Sequence, residues 1–202
     1  MPGIAAVILA AGGSSRFGGI KQLVEFAGST LIERSVSAAV NAGCSPVILV
    51  TGWESVRVAA AVHTTNATIV ENEHWRCGIG SSIRAGLRCV VERSPQPNGV
   101  ALLVSDQPFV NQQLIAELID RWGTSGKVIV ASRYANTLGV PAVFGRSCFD
   151  ELLQLDNDSG AKSIILRDAD RVTSVPFPKG ECDIDTAEDL ARLMAHRGFA
   201  EE

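Results

Sequence analysis

The chain has 202 residues, 46% of them apolar and 20% charged, which is ordinary globular usage and excludes a disordered or collagen-like polymer. Eighteen Lys plus Arg stand against 22 Asp plus Glu, a formal charge of −4, so the broad basic surface on which nucleic-acid affinity rests is missing and an anionic ligand must be held by a local arrangement. The longest apolar run, Ile4 to Ala11, is too short to span a bilayer and has no basic leader before it. The expectation is one domain over residues 1–202, cytoplasmic, with neither a membrane nor a nucleic-acid partner.

The first strand is expected over Ile4 to Leu9, ending in a glycine-rich stretch from Gly12 to Gly19. Leu31, Ile32, Val36, Ala39 and Val40 then recur at helical spacing, with Thr30 and Glu33 as a capping box and Gly43 as the terminating glycine. Pro46 to Gly52 reads as a second buried strand, Glu54 to Val62 as a helix, Ala67 to Asn72 as a third strand and Ser82 to Glu92 as a helix. Val100 to Asp106 is continuously apolar until Asp106 and is the clearest strand of the chain. A helix marked by Leu114, Ile115, Leu118, Ile119 and Trp122 follows, then a strand over Lys127 to Ser132. The remainder is less regular: a Gly-x-Pro at Gly139 to Pro141, helices near Cys148 to Leu155 and Ser159 to Arg167, a strand near Arg171 to Pro176 and a last helix from about Thr186. Alternating strands and helices, with uninterrupted apolar strands, predict a mostly parallel sheet covered on both faces, to which the irregular C-terminal third adds an antiparallel strand or a small lid.

Five scattered cysteines (Cys44, Cys77, Cys89, Cys148 and Cys182) form no C-x-x-C pair and are expected to be mostly small buried hydrophobes. His63, His74 and His196 include no i, i+4 pair, which argues against a zinc site.

In open parallel sheets ligands bind outside the carboxyl ends of the strands. The first strand runs there into four glycines, two serines and two cations within Gly12 to Lys21, a composition suited to cradling an anion on backbone N–H groups with Arg16 and Lys21 adding full charges. Two phosphate-binding patterns fail on inspection. The dinucleotide G-x-G-x-x-G is broken by Gly13-Ser14-Ser15 after Gly12, and Gly19-Ile20 stand where a Walker A loop needs Lys and Ser/Thr. A bland reading stands beside each downstream residue: Asp106 as a turn or cap residue, Asp185 or Thr186 as a cap with Asp189, Ser81 and Ser82 as a helix start, and Trp53, Trp75 and Trp122 as core or rim.

The string Leu9 to Leu23, LAAGGSSRFGGIKQL, resembles the nucleotidyltransferase signature L-A-A-G-x-S-x-R-[MF]-G-x-x-K-x-L and matches every fixed position of it. That signature belongs to molybdenum-cofactor guanylyl- and cytidylyltransferases and sugar-phosphate nucleotidyltransferases. The chain is most similar to the molybdenum cofactor cytidylyltransferase-like branch through VTGW (Val50 to Trp53), the Glu71 to Leu87 segment, SDQP (Ser105 to Pro108), Gly139 to Phe144 and DIDTAEDL (Asp183 to Leu190). Ala187 replaces the family's usual Pro, and NDSGAK (Asn157 to Lys162) follows its G-D-x-G-[AS]-[KR] segment only loosely, which weakens any statement about the acceptor side.

The resemblance implies a three-layer α/β/α fold with a Rossmann-like sheet of the nucleotidyltransferase type. It implies that Leu9, Ala10, Ala11, Gly12, Gly13, Ser14, Ser15, Arg16 and Lys21 hold a nucleoside triphosphate, and that Asn72, Gly78, Ser81 and Ser82 face the nucleoside. Arg16, Lys21 and Asp106 would be catalytic, with Asp106 and Asp185 holding Mg²⁺ or, in its place, Mn²⁺. Whether Asp183 shares or replaces the metal role of Asp185 stays open at this level. The implied reaction is transfer of a nucleoside monophosphate, CMP from CTP in the first instance, to a molybdopterin-type phosphate acceptor with release of pyrophosphate; a recipient molybdoenzyme or its accessory protein would be a further partner. GMP or AMP transfer, a sugar or polyol phosphate acceptor, and a non-catalytic chaperone of the molybdenum cofactor are the alternatives.

Overall fold

The computed structural model describes residues 3–62 and 66–197. In chain order these form β1 (Ile4–Leu9), β2 (Glu25–Phe26), β3 (Ser29–Thr30), α1 (Leu31–Asn41), β4 (Val47–Thr51), α2 (Ser55–Ala60) and β5 (Ala67–Glu71). There follow α3 (Ile79–Val91), β6 (Gly99–Val104), α4 (Gln112–Ser125), β7 (Ile129–Tyr134), β8 (Thr137–Gly145), α5 (Phe149–Leu153), α6 (Lys162–Arg167), β9 (Val172–Pro176) and α7 (Ala187–Arg197). Seven strands make one sheet in the order β5-β4-β1-β6-β8-β7-β9. Pairing is parallel except where β8 runs antiparallel between β6 and β7.

Both faces of the sheet are covered, which is why its strands read as unbroken apolar runs rather than alternating ones. In β1, Ala6 and Ile8 face one way, into a core with Ile32 and Val36 of α1 and Ile115 and Leu118 of α4. Ala5 and Val7 face the other way, against Ile83 and Leu87 of α3, Leu152 of α5 and Ile164 of α6. A third, small cluster of Phe26, Leu31 and Ile184 ties the segment after the glycine-rich loop to the segment before α7. The capping box of α1 is formed as expected: Thr30 Oγ1 accepts from the Glu33 amide at 3.2 Å, and Glu33 Oε2 accepts from the Thr30 amide at 2.8 Å.

The antiparallel strand of the C-terminal third is β8, nine residues long, at a position where Gly139 and Pro141 interrupt any strand pattern. Pro141 has no N–H for a ladder. The sheet accommodates it by a register shift between Ala131 and Ser132 of β7, and Ser132 Oγ donates to the Pro141 carbonyl at 2.6 Å. A second departure is the β2–β3 hairpin, whose turn residues Ala27 and Gly28 both have positive φ. The start of α3 also differs, at Ile79 instead of Ser82. Of the five free cysteines only Cys44 and Cys148 are buried; Cys77 is exposed and Cys89 and Cys182 are intermediate, so the expectation of buried thiols fails for three of them. His63 lies outside the described residues, as does the side chain of His196. Among the described residues no helix is long and apolar enough to cross a membrane.

Candidate functional site

At the carboxyl ends of β1 and β6 lies an open pocket of about 320 Å³. Leu9 lines it from the end of β1, Ala10, Ala11, Gly12, Ser14, Ser15, Arg16 and Lys21 from the segment that follows, Gly78 and Ser82 from the start of α3, and Asp106 and Asp185 from two further loops. Of the candidate binding, catalytic and metal residues singled out in the sequence, Gly13, Asn72, Ser81 and Asp183 do not line it. Gly13 packs on Trp75, whose ring atoms would come within 2.9 Å of an added Cβ. Asn72 and Ser81 are buried in a local network: Asn72 Nδ2 donates to Ser81 Oγ (2.9 Å) and Ser82 Oγ (3.0 Å), its Oδ1 accepts from the His74 amide (3.0 Å), and Ser81 Oγ donates to the His74 and Gly78 carbonyls. They shape the loop before α3 and leave Ser82 and Gly78 on the pocket wall.

The charged centre is compact although its members are far apart in sequence. The Lys21 ammonium donates to Asp106 Oδ2 and Asp185 Oδ1, each at 2.9 Å, and Arg16 reaches Asp185 Oδ2 at 3.0 Å. Backbone bonds hold the partners. The Ile184 amide donates to the Asp106 carbonyl at 2.9 Å, and the Ser105 amide to the Leu9 carbonyl at 3.2 Å, so the three loops are sewn side by side. Thr186 caps α7, with its Oγ1 accepting from the Asp189 amide at 3.2 Å, while Asp189 Oδ2 accepts from the amides of Thr186 (2.9 Å) and Asp185 (3.2 Å). The cap reading and the site reading of this segment are therefore both satisfied: Thr186 and Asp189 fix the turn, and Asp185 is left to face Lys21.

The electrostatics follow from that packing. Burial pulls the Lys21 ammonium down, but the neighbouring carboxylates of Asp106 and Asp185 outweigh it and the pKa is raised above its ordinary value. The Lys21 hydrogen bond, with help from Arg16, holds Asp185 below the usual carboxylate range. Asp183 behaves oppositely: burial first, then the charges of Asp106 and Asp185, push it up to about 6. Among the described residues no group of three or more His, Cys, Asp or Glu is arranged to hold a metal ion. A cation at this centre would rest on Asp106 and Asp185 and take its remaining ligands from water and a bound anion.

Sequence reasoning gave Trp75 a core or rim role, quoted Ser105 only as part of a matched segment, and passed over the lining residues Gln22, Ile79 and Val104. Gln22 fills the variable position between the signature's Lys and Leu, where the pattern carries no weight. The signal for Trp75 lay in the glycines around it, since a Cβ on Gly52 would stand 2.7 Å from that of Trp75 and 2.8 Å from the Ala11 carbonyl. The NDSGAK segment does not line the pocket but is bound to its wall. The Gly80 amide donates to the Asn157 carbonyl at 2.8 Å, and the Arg84 guanidinium grips the Leu155 carbonyl and Asn157 Oδ1.

Residues 6–172 match the MobA-like NTP transferase domain. The chain belongs to that family. It is 29% identical over 210 residues to nicotine blue oxidoreductase of Paenarthrobacter nicotinovorans, covering 96% of this chain and 98% of that one. It is 24% identical to the molybdenum cofactor cytidylyltransferase of Escherichia coli K12, covering 94% and 95%. The crystal structure of Rv0371c from Mycobacterium tuberculosis H37Rv superposes with a TM-score of 0.77 at 30% identity, covering 96% and 98%; a further crystal structure of Rv0371c is a complex with manganese. The three-layer fold, the mostly parallel sheet and the nucleotidyltransferase class expected from the sequence are thus those of the protein.

Proposed function

We propose that the protein transfers CMP from CTP to the terminal phosphate of a molybdopterin-type cofactor and releases pyrophosphate. The observation that carries this reading is the junction of one ammonium with two carboxylates, Lys21 with Asp106 and Asp185 at 2.9 Å each, inside a pocket walled by the glycine-rich loop. The match to the cytidylyltransferase of Escherichia coli supports the choice of nucleotide and acceptor.

In the proposed reaction an oxygen of the acceptor phosphate attacks the α-phosphorus of CTP. The bond from that phosphorus to the bridging oxygen breaks, and the electron pair leaves on pyrophosphate. No protein nucleophile is needed, so the work of the protein is orientation and charge stabilisation. Arg16 and Lys21 bind the triphosphate, Arg16 as a forked donor at the exposed rim and Lys21 as a compact charge deeper in the pocket, positioned to stabilise charge growing on the departing pyrophosphate. Asp106 and Asp185 suit a hard divalent cation, because their oxygens already converge on one positive centre and oxygen donors with open positions for phosphate are the set Mg²⁺ prefers. When bound, Mg²⁺ (or Mn²⁺, present in the Rv0371c complex) would neutralise negative charge between acceptor and α-phosphate. Ser82 and Gly78 form the wall on the nucleoside side.

The test is pyrophosphate release from CTP, GTP, ATP and UTP in the presence of Mg²⁺ and a molybdopterin-type phosphate acceptor. CTP is expected to turn over fastest. Turnover with GTP or ATP instead reassigns the base, turnover only with a sugar or polyol phosphate reassigns the acceptor, and acceptor binding without pyrophosphate supports a chaperone. The name of the Paenarthrobacter relative motivates one further arm, a redox assay with the same acceptor; electron transfer without pyrophosphate release would overturn the transferase reading.

A further inference from the structure

We infer that Gln22 is a positioning residue whose buried carboxamide sets the shape of the glycine-rich loop and, through Ser14, the placement of Lys21. The inference rests on the triphosphate reading of the pocket.

Gln22 is 2% exposed, and its amide is surrounded by the loop. Its Nε2 donates to the carbonyls of Ala10 and Gly12, each at 3.0 Å, and its Oε1 accepts from Ser14 Oγ at 3.2 Å. Both amide hydrogens and the amide oxygen are therefore used, each on a different residue of the loop. Because a trans peptide points its C=O and the following N–H in opposite directions, drawing the Ala10 and Gly12 carbonyls onto Gln22 turns the amides of Ala11 and Gly13 the other way. Ser14 is the hinge of the arrangement. It has φ +49°, a left-handed conformation that is unfavourable for a residue with a Cβ, and its hydroxyl both donates to Gln22 and accepts from the Lys21 amide at 3.3 Å. One side chain thus connects the end of β1, the left-handed turn and the backbone of the lysine that bridges the two carboxylates.

Neither an acid nor an apolar thioether reproduces this. A carboxylate at position 22 would set an acceptor oxygen against two carbonyl oxygens, and a methionine would leave both carbonyls and the Ser14 hydroxyl without their partner. Either change releases the loop without removing any charged group of the pocket from the chain.

The experiment compares Gln22→Met and Gln22→Glu with the wild type in three measurements: amide hydrogen exchange of residues 10–16, CTP affinity by calorimetry with Mg²⁺, and kcat and KM of pyrophosphate release. Faster loop exchange, weaker CTP binding and a fall in kcat of about a hundredfold are expected, since a displacement of about 1 Å in positioning groups costs that much in rate. The variants should still melt cooperatively, at a lower temperature than the wild type, because buried groups lose their partners. If one variant fails to fold, the other decides. Wild-type loop exchange and wild-type CTP affinity in a folded variant would overturn the role of Gln22 and leave the proposed function standing. A wild-type protein that binds no nucleoside triphosphate would overturn the triphosphate reading, and the exchange data would still show whether Gln22 holds the loop.

Discussion

Replacing Lys21 by Met removes one positive charge from between two carboxylates while keeping most of the bulk of the stem. Both contacts are 2.9 Å long; the lysine side chain is 13% exposed, but those of Asp106 and Asp185 are 27% and 34% exposed, so solvent screens one side of each pair. Breaking a fully buried pair costs about 3–5 kcal/mol and an exposed one about 0–1 kcal/mol. The partial exposure places each contact near the lower end, about 1 kcal/mol, and the two together about 2 kcal/mol. For a chain of this size that lowers the melting temperature by roughly 4–8 °C. The catalytic loss is larger: one charge-stabilising donor is worth about 10²–10³ in turnover, or about 3–4 kcal/mol of barrier. The pH dependence has a defined sign. Asp185 is depressed by its Lys21 hydrogen bond, so its stabilisation is present above its unfolded value of 3.8 and is lost as the pH falls through the lower folded one. Lys21 is raised by the two aspartates against the effect of burial, so its stabilisation is present below 10.5 and is lost as the pH rises beyond it. The melting difference between wild type and Lys21→Met, measured in chelator across pH, should therefore be level from about pH 8 to 9 and change below that, where Asp183, at about 6 with the Lys21 charge holding it down, titrates. Pyrophosphate release by the variant, assayed beside it, should fall by at least about a hundredfold. Wild-type turnover, or no melting difference anywhere in that range, would refute the reasoning.

Asp106→Ala should abolish Mg²⁺-dependent turnover while the protein still melts cooperatively; full turnover at saturating Mg²⁺ would remove Asp106 from the centre. Arg16→Ala should leave the melting temperature within a degree or two and raise KM for the triphosphate with little change in kcat, because the Arg16 side chain is 72% exposed and its pair with Asp185 is screened. A kcat loss as large as that of Lys21→Met would place Arg16 deeper in the reaction. Asp183→Asn should stabilise the metal-free protein slightly, by less than about 1 kcal/mol above pH 6, because the residue is exposed at the surface and solvent screens the desolvation and the two like charges that raise its folded value to about 6 from 3.8. The gain should shrink as the pH falls through that window and vanish below it, and a destabilised variant at pH 8 would contradict the cause assigned to the shift.

The parallel half of the sheet was legible because β1, β4 and β6 are buried on both faces and so carry continuous apolar runs, each ending where a polar loop begins. The place of β8 was not, since Gly139 and Pro141 erase the strand signal and only the register shift opposite them makes pairing possible. At the site, Arg16 and Lys21 were legible from the composition of the loop after β1 and Asp106 from its place at the end of an apolar strand, whereas Asp185 read as a cap residue and was singled out only through the family resemblance. Their convergence came from the resemblance alone, because it depends on backbone bonds between distant loops, Ile184 to Asp106 and Ser105 to Leu9, which leave no pattern in a single chain. Asn72 and Ser81 show the opposite case: polar residues beside a ligand crevice that spend their hydrogen bonds on the loop itself.

Calorimetric titration of CTP into the protein, with Mg²⁺ and again in chelator, addresses the pocket most directly when run on the wild type and on an Arg16→Ala, Lys21→Met double variant. One nucleotide bound per wild-type chain, at least tenfold weaker in chelator and lost in the double variant, is the predicted result. Binding of equal strength in the double variant would put the nucleotide elsewhere on the molecule, and silence with CTP, GTP, ATP and UTP alike would contradict a triphosphate site at the end of β1.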